Sequence, residues 1–259
     1  MTQYTDDFIR DIPKTDLHVH LDGSLRLSSL IDMARQKRVA LPSFTEAGMR
    51  ELVFKDAYAD LPEYLRGFAY TCAALRDPEN LERAAYELAL DCAAEGVCYI
   101  EPRFAPQLLM DDGGLTMERV LTAAGKGLAR AASEINARRE VRDGTLPRFE
   151  YGIIVCAMRM FGPSGYSPYY DALFRVHGNS APGEVIRMAA MELARGAVRA
   201  RDELGVPVAG FDIAGQEAGY PAGDFAEAFS YAHKNFMHKT VHAGEAYGAE
   251  TLFQAIPHP

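Results

Sequence analysis

Residues 15–24 read TDLHVHLDGS, with His18, His20 and Asp22 at alternate positions between Leu17, Val19 and Leu21. Alternation at period two marks an extended strand, whose side chains at i, i+2 and i+4 leave on one face. The pattern predicts a strand that presents both imidazoles and the carboxylate together and turns at Asp22-Gly23. These residues alone leave two readings open: a solvated strand face, or one side of a metal site.

Four more short runs rich in β-branched or aromatic residues follow: VCYIEPRFAP (97–106), FEYGIIVCAM (149–158), PVAGFDIAG (207–215) and KTVHAGE (239–245). Helical segments separate them. In 77–96, Asp77 serves as N-cap, Pro78 opens the first turn and Gly96 lies past the end. Leu81, Ala84, Ala85, Leu88, Ala89 and Cys92 form its apolar stripe. The segment 182–205 repeats the plan, with Val185, Met188, Ala189, Leu193, Ala197 and Leu204 inward and Gly205 as the stop. In 224–235, Asp224 and Glu227 stand at capping-box spacing, and Phe225, Ala228, Phe229 and Ala232 read as core. Residues 115–136 form a fourth, looser helix.

Strands alternating with helices predict an α/β fold, a parallel sheet with helical crossovers. No Pro/Gly/Ser-rich linker and no repeat divides the chain, so 1–259 reads as a single domain. The stretch 44–76 is too long for a plain connection and predicts a helical, lid-like insertion after the first strand.

The chain has 259 residues, 48% hydrophobic and 24% charged, as a globular protein does. Its net charge of -9, from 27 basic and 36 acidic residues, argues against a nucleic-acid backbone or an anionic membrane as partner. Cys72, Cys92, Cys98 and Cys156 show no CxxC spacing and read as buried thiols of a reducing compartment. The start, MTQYTDDFIRDIPK, carries early acids and no apolar core. No apolar run approaches the ~20 residues of a membrane helix, so the expected location is the cytoplasm.

Ligands of parallel α/β folds gather at the carboxyl ends of the strands. The chemically loaded residues fall there: His18, His20 and Asp22; Glu101 and Arg103; Asp212 and Gly215; His242 and Glu245. VHAGE tips the balance towards a metal. Neutral imidazoles from two strands suit a tetrahedral Zn²⁺, and a glutamate just past one of them is placed to move protons. His233 and His238 flank a helix end and read as solvated, while His177 and His258 lie in loop-like surroundings. GFDIAGQEAG lacks the GxGxxG order of a dinucleotide site, and Gly215 instead lets backbone come close to a ligand.

PKTDLHVHLDGSL, GVCYIEPRFAPQLL, GFDIAG and KTVHAGEAYG, in this order, closely resemble the adenosine deaminase family of the metal-dependent amidohydrolase superfamily, from about Pro13 to Ile256. The resemblance implies a (β/α)8 TIM-type barrel, of which this chain supplies the first five βα units. It implies one Zn²⁺ per chain on His18, His20 and His242, with His20 also bordering the substrate. By the same likeness, Glu245 protonates the purine at N1, Asp22 holds the ribose 5′-hydroxyl, and the backbone amide of Gly215 meets the purine. The implied reaction is hydrolytic deamination of adenosine or 2′-deoxyadenosine to the inosine product and ammonia. Burial beside the purine would raise the Glu245 pKa for that role.

The family's pattern continues into a sixth strand with another histidine and an aspartate ending strand eight. Neither lies within these 259 residues. An expectation follows that the first and fifth strands form open edges with exposed apolar surface. Two departures narrow the choice within the superfamily. PVAGFDIAG has no lysine of the kind binuclear relatives carboxylate, and Asp22 stands where enzymes acting on free adenine tend to have glutamate. The alternatives are a deaminase acting on adenine or a modified purine nucleoside, and an inactive, shortened relative acting as a binding protein.

Overall fold

The computed structural model describes residues 4–246 and 248–255. Six strands form one sheet: β1 (Lys14–His20), β2 (Val97–Phe104), β3 (Glu150–Tyr151), β4 (Ile153–Met158), β5 (Val208–Ala214) and β6 (His238–Lys239). The order is β1-β2-β4-β5-β6, with β3 beside β2, and every pairing is parallel. β3 and β4 are one predicted strand broken at Gly152, so five strand positions follow one another in chain order. That sequential parallel order is the start of a TIM-type barrel, as the five-unit reading expects.

Parallel strands are covered on both faces and need near-continuous apolar sequence. Ile100, Phe104, Ile153, Val155, Phe211 and Ile213 meet that need and are buried. The crossover helix Pro78–Ala94 begins where Asp77 accepts hydrogen bonds from the Glu79 and Asn80 amides, at 3.0 and 3.2 Å. All six residues of its predicted stripe are buried. It packs along the helix Met117–Asn136, which is far from loose. A Cβ on Gly127 would lie 2.1 Å from the Glu82 carbonyl oxygen, so the glycine that weakens the helical pattern lets the two helices touch.

Two local expectations fail. Met188 and Leu204 are 40% and 47% exposed on the helix Pro182–Leu204, because the sheet is met by a narrower stripe around Val185, Ala189, Leu193 and Ala197. Asp224 does not cap the next helix. It lies inside a 3-10 turn (Ala222–Phe225), and the helix Ala226–Lys234 starts only after it. Phe225, Ala228, Phe229 and Ala232 are nonetheless buried.

Residues 44–76 hold three short helices, Glu46–Leu52, Leu61–Leu65 and Phe68–Leu75. Among the described residues β1 and β6 are the sheet's edges. Leu17 is 53% exposed on β1, and Phe236, just before β6, is 93% exposed. Cys72, Cys92 and Cys156 are buried free thiols and Cys98 is half-buried. Among the described residues no helix is long and apolar enough to cross a membrane.

Candidate active site

β1 ends at His20, one residue pair short of the expected strand. Leu21–Gly23 form a 3-10 turn that sends Leu21 and Asp22 inward. Asp22 is therefore not on the strand face; the turn buries it to 4% exposure beside the histidines. The fifth strand position is also shorter than expected. β6 pairs with β5 only through His238 and Lys239, and the Thr240 amide adds one bond to the Phe211 carbonyl at 3.0 Å. Beyond it the backbone turns to side chains: the His242 amide donates to Asp212 Oδ1 at 3.1 Å.

This placement brings His242 to two imidazoles more than two hundred residues earlier in the chain. His18 Nε2 lies 2.9 Å and His20 Nε2 3.1 Å from His242 Nε2. Ligands about 2.0–2.1 Å from a common ion stand near these separations, and three convergent lone pairs suit a cation better than one another. The donor set fits a metal ion held by three neutral imidazoles. Burial, followed by the charges of Arg103 and the neighbouring histidines, pushes the His18 pKa down to about 4. That keeps the ring neutral at physiological pH, the form that ligates.

Asp212 anchors this centre from below. It is fully buried and contacts Arg103 Nη1 at 2.5 Å, and its Oδ2 stands 2.9 Å from His242 Nδ1. The last contact is close but poorly aligned for a hydrogen bond. Burial alone would raise the Asp212 pKa; contact with His242 and the Arg103 charge hold it below the ordinary carboxylate value. Arg103 also donates to Thr240 Oγ1 at 3.1 Å and to the Leu17 carbonyl, tying β1, β2, β5 and the segment after β6 together. Such partners orient metal-binding histidines in general.

A cavity of about 530 Å³ opens beside the imidazoles, lined among others by His20, Asp22, Phe68, Tyr166, Gly215 and Gln216. That is the size of a small-molecule site. Phe68, from the 44–76 segment, sets its ring edge-on to His20 with centroids 6.2 Å apart. Asp22 Oδ1 is buried with no hydrogen-bond donor among the described residues. A carboxylate oxygen left so is costly unless a ligand supplies the donor. Gly215 has φ +96°, and a Cβ there would stand 3.0 Å from Met158 Cε, so bare backbone faces the cavity.

Glu245 departs from expectation. It is exposed rather than buried. It lies in the loop beyond β6, at the sheet's edge among the described residues, rather than at the end of a covered strand. Glu101 is not one of the clustered side chains; it accepts a hydrogen bond from Tyr99 Oη at 2.9 Å. His233 and His238 are exposed, His177 is half-buried at a helix end, and His258 lies outside the described residues. Two residues escaped sequence reasoning. Glu217 and Arg159 grip the backbone around His242 and Glu245, and no motif spacing marks either of them.

A parallel α/β sheet with three histidines converging at its carboxyl end defines the class, an α/β protein with a candidate metal centre. Comparison with known proteins sharpens that class. The chain matches the family described as "Adenosine deaminase" over residues 13–173 and 184–258. It is 37% identical over 256 residues to an adenosine deaminase of Mycobacterium marinum, covering 96% of this chain and 59% of that protein. It is 34% identical over 252 residues to adenosine deaminase 1 of Streptomyces coelicolor, covering 96% and 54%. The chain belongs to the adenosine deaminase family. It spans somewhat over half the length of these curated relatives.

Solved structures agree on the fold. An amidohydrolase from Burkholderia ambifaria with bound Zn superposes with a TM-score of 0.74 at 20% identity, covering 99% of this chain and 60% of that one. Arabidopsis ADAL complexed with IMP gives a TM-score of 0.71 at 25% identity, covering 96% and 63%.

Proposed function

We propose that this chain carries the zinc centre and the purine-side wall of a deaminase that converts adenosine or 2′-deoxyadenosine, with water, into the inosine product and ammonia. The observation that carries the reading is the convergence of His18, His20 and His242 Nε2 beside a cavity lined by a buried carboxylate, one oxygen of which accepts no hydrogen bond, and by a glycine. In this proposal the three imidazoles hold one zinc ion. When bound, zinc lowers the pKa of its water from about 16 towards 7 and so supplies a nucleophile at neutral pH. The residues of the chain do the rest. Gly215 offers its backbone amide to the purine. Asp22 accepts a hydrogen bond from the 5′-hydroxyl. Glu245 delivers a proton to N1, which makes C6 electrophilic; water adds at C6 and ammonia leaves. The 44–76 segment, with Phe68 against His20, serves as the lid that keeps water from the purine.

Among the neighbours in fold, the Arabidopsis complexes hold the nucleotides IMP and GMP. The buried Asp22 carboxylate favours a neutral 5′-hydroxyl in this protein, since a 5′-phosphate there would set anion against anion. Release of ammonia from adenosine, 2′-deoxyadenosine and AMP, and of methylamine from N6-methyl-AMP, with and without zinc, tests the whole reading. Glu245→Gln should retain zinc and lose about 10²–10⁴-fold in turnover, because an amide has no proton to give N1. Near wild-type rates in that variant would remove Glu245 from the reaction.

A further inference from the structure

Among the described residues no strand ladder holds the loop bearing His242 and Glu245, and side chains from the segments just after β4 and β5 take its place. Glu217 is 5% exposed, and its two oxygens are divided between two backbone amides. Oε1 accepts from the Gly244 N–H and Oε2 from the Ala246 N–H, each at 2.9 Å. These are the amides on either side of Glu245. Arg159, 3% exposed, grips the same loop by its opposite polarity. It donates to the His242 carbonyl and, at 2.6 Å, to the Tyr220 carbonyl. Gly244 has φ +84°, a left-handed turn that aims both amides at one carboxylate. Thr251 Oγ1 accepts a further bond from the Gly244 N–H at 3.0 Å.

We propose that Glu217 and Arg159 form a backbone clamp that fixes the spacing between His242 and Glu245, with Glu217 the positioning residue for the proton-transfer group. Neither side chain lines the large cavity, so each acts through the loop. A buried carboxylate is costly unless its oxygens are satisfied, and here the satisfying donors are the two amides flanking an exposed glutamate. The clamp therefore supplies the order that Glu245 lacks from burial. Its catalytic consequence rests on the deaminase reading; its hold on the loop does not.

Glu217→Gln in the zinc-loaded protein tests it, since the amide keeps the shape but its NH₂ cannot accept from a backbone N–H. Hydrogen exchange at Gly244 and Ala246 should quicken, and kcat for adenosine fall, each by about 10–100-fold, with KM changed by less than about threefold and zinc retained. Glu217→Asp, which keeps the charge but reaches only one amide, should show the same kcat–KM split at smaller size. If Glu217→Gln does not fold, the Asp variant alone decides. Unchanged exchange at the two amides, exchange rising equally across β4 and β5, or a raised KM with unchanged kcat would each overturn the clamp. If the wild-type protein releases no ammonia from any nucleoside, the deaminase reading falls, and the exchange measurement still judges the clamp by itself.

Discussion

Replacing Asp212 by Asn removes one charge from the most buried Arg–carboxylate pair among the described residues. Asp212 and Arg103 are 0% and 3% exposed, and their 2.5 Å contact joins β5 to β2. An asparagine can still accept from the Ile213 and His242 amides, which now bond Oδ1 at 2.8 and 3.1 Å. It cannot neutralise Arg103, and its NH₂ would face a guanidinium donor. Removing one member of a buried pair costs about 3–5 kcal/mol, because the other charge stays buried and uncompensated. For a chain of 259 residues that corresponds to a fall in Tm of roughly 6–10 °C. Chemical denaturation of the metal-free protein measures it, with Arg103→Met and the double variant completing a cycle. The double variant should be less destabilised than the two single changes added together, by more than about 1 kcal/mol. Metal affinity should also drop about 10–100-fold in Asp212→Asn, since the carboxylate beside His242 Nδ1 is lost. A loss below about 1 kcal/mol in Asp212→Asn, or strict additivity in the cycle, would refute the claim that this pair anchors the site.

Three other expectations bear on separate parts of the molecule. Asp22→Ala should weaken adenosine binding by roughly 1.5–3 kcal/mol and narrow its advantage over 5′-deoxyadenosine; steady-state kinetics with both nucleosides checks this, and an unchanged preference would leave Asp22 a structural role. Gly215→Ala should lower stability by about 1–2 kcal/mol through its left-handed backbone, and raise KM as Met158 is pushed from the added methyl; thermal unfolding and kinetics read the two effects. Asp77→Ala should cost about 1 kcal/mol at neutral pH through the lost helix cap. Burial opposes ionisation of Asp77, yet Lys37 and the Asn80 and Glu79 amides hold its pKa below the ordinary 3.8. A depressed carboxylate stabilises the fold above its unfolded pKa and loses that contribution as pH falls through the folded one. The difference between wild type and Asp77→Ala should therefore be full at neutral pH and shrink below 3.8, as denaturation at several pH values would show.

The sequence by itself determined what depends on near neighbours. Asp77-Pro78 and Gly96 bracket a helix because capping and left-handed closure act within one turn. The stripe from Leu81 to Cys92 names its buried face because helical periodicity is local. The apolar runs and their spacing were enough for the parallel sheet, and the histidine pair marked the end of its first strand. Tertiary structure decided the rest, where the partner is remote or the ladder stops. Periodicity predicted strands running to Asp22 and Glu245, but β1 turns at His20 and β6 yields to the side chains of Asp212 and Glu217. Backbone bonds to side chains leave no periodic trace, so Glu217 and Arg159 were silent in the sequence. The exposure of Glu245 was equally hidden, because burial depends on which elements flank a loop and not on the loop's own residues. Likewise the 2.9 Å approach of His18 to His242 joins the ends of the sheet's first and last strands among the described residues, so it depends on the sheet curling as a barrel's does, which no local pattern records.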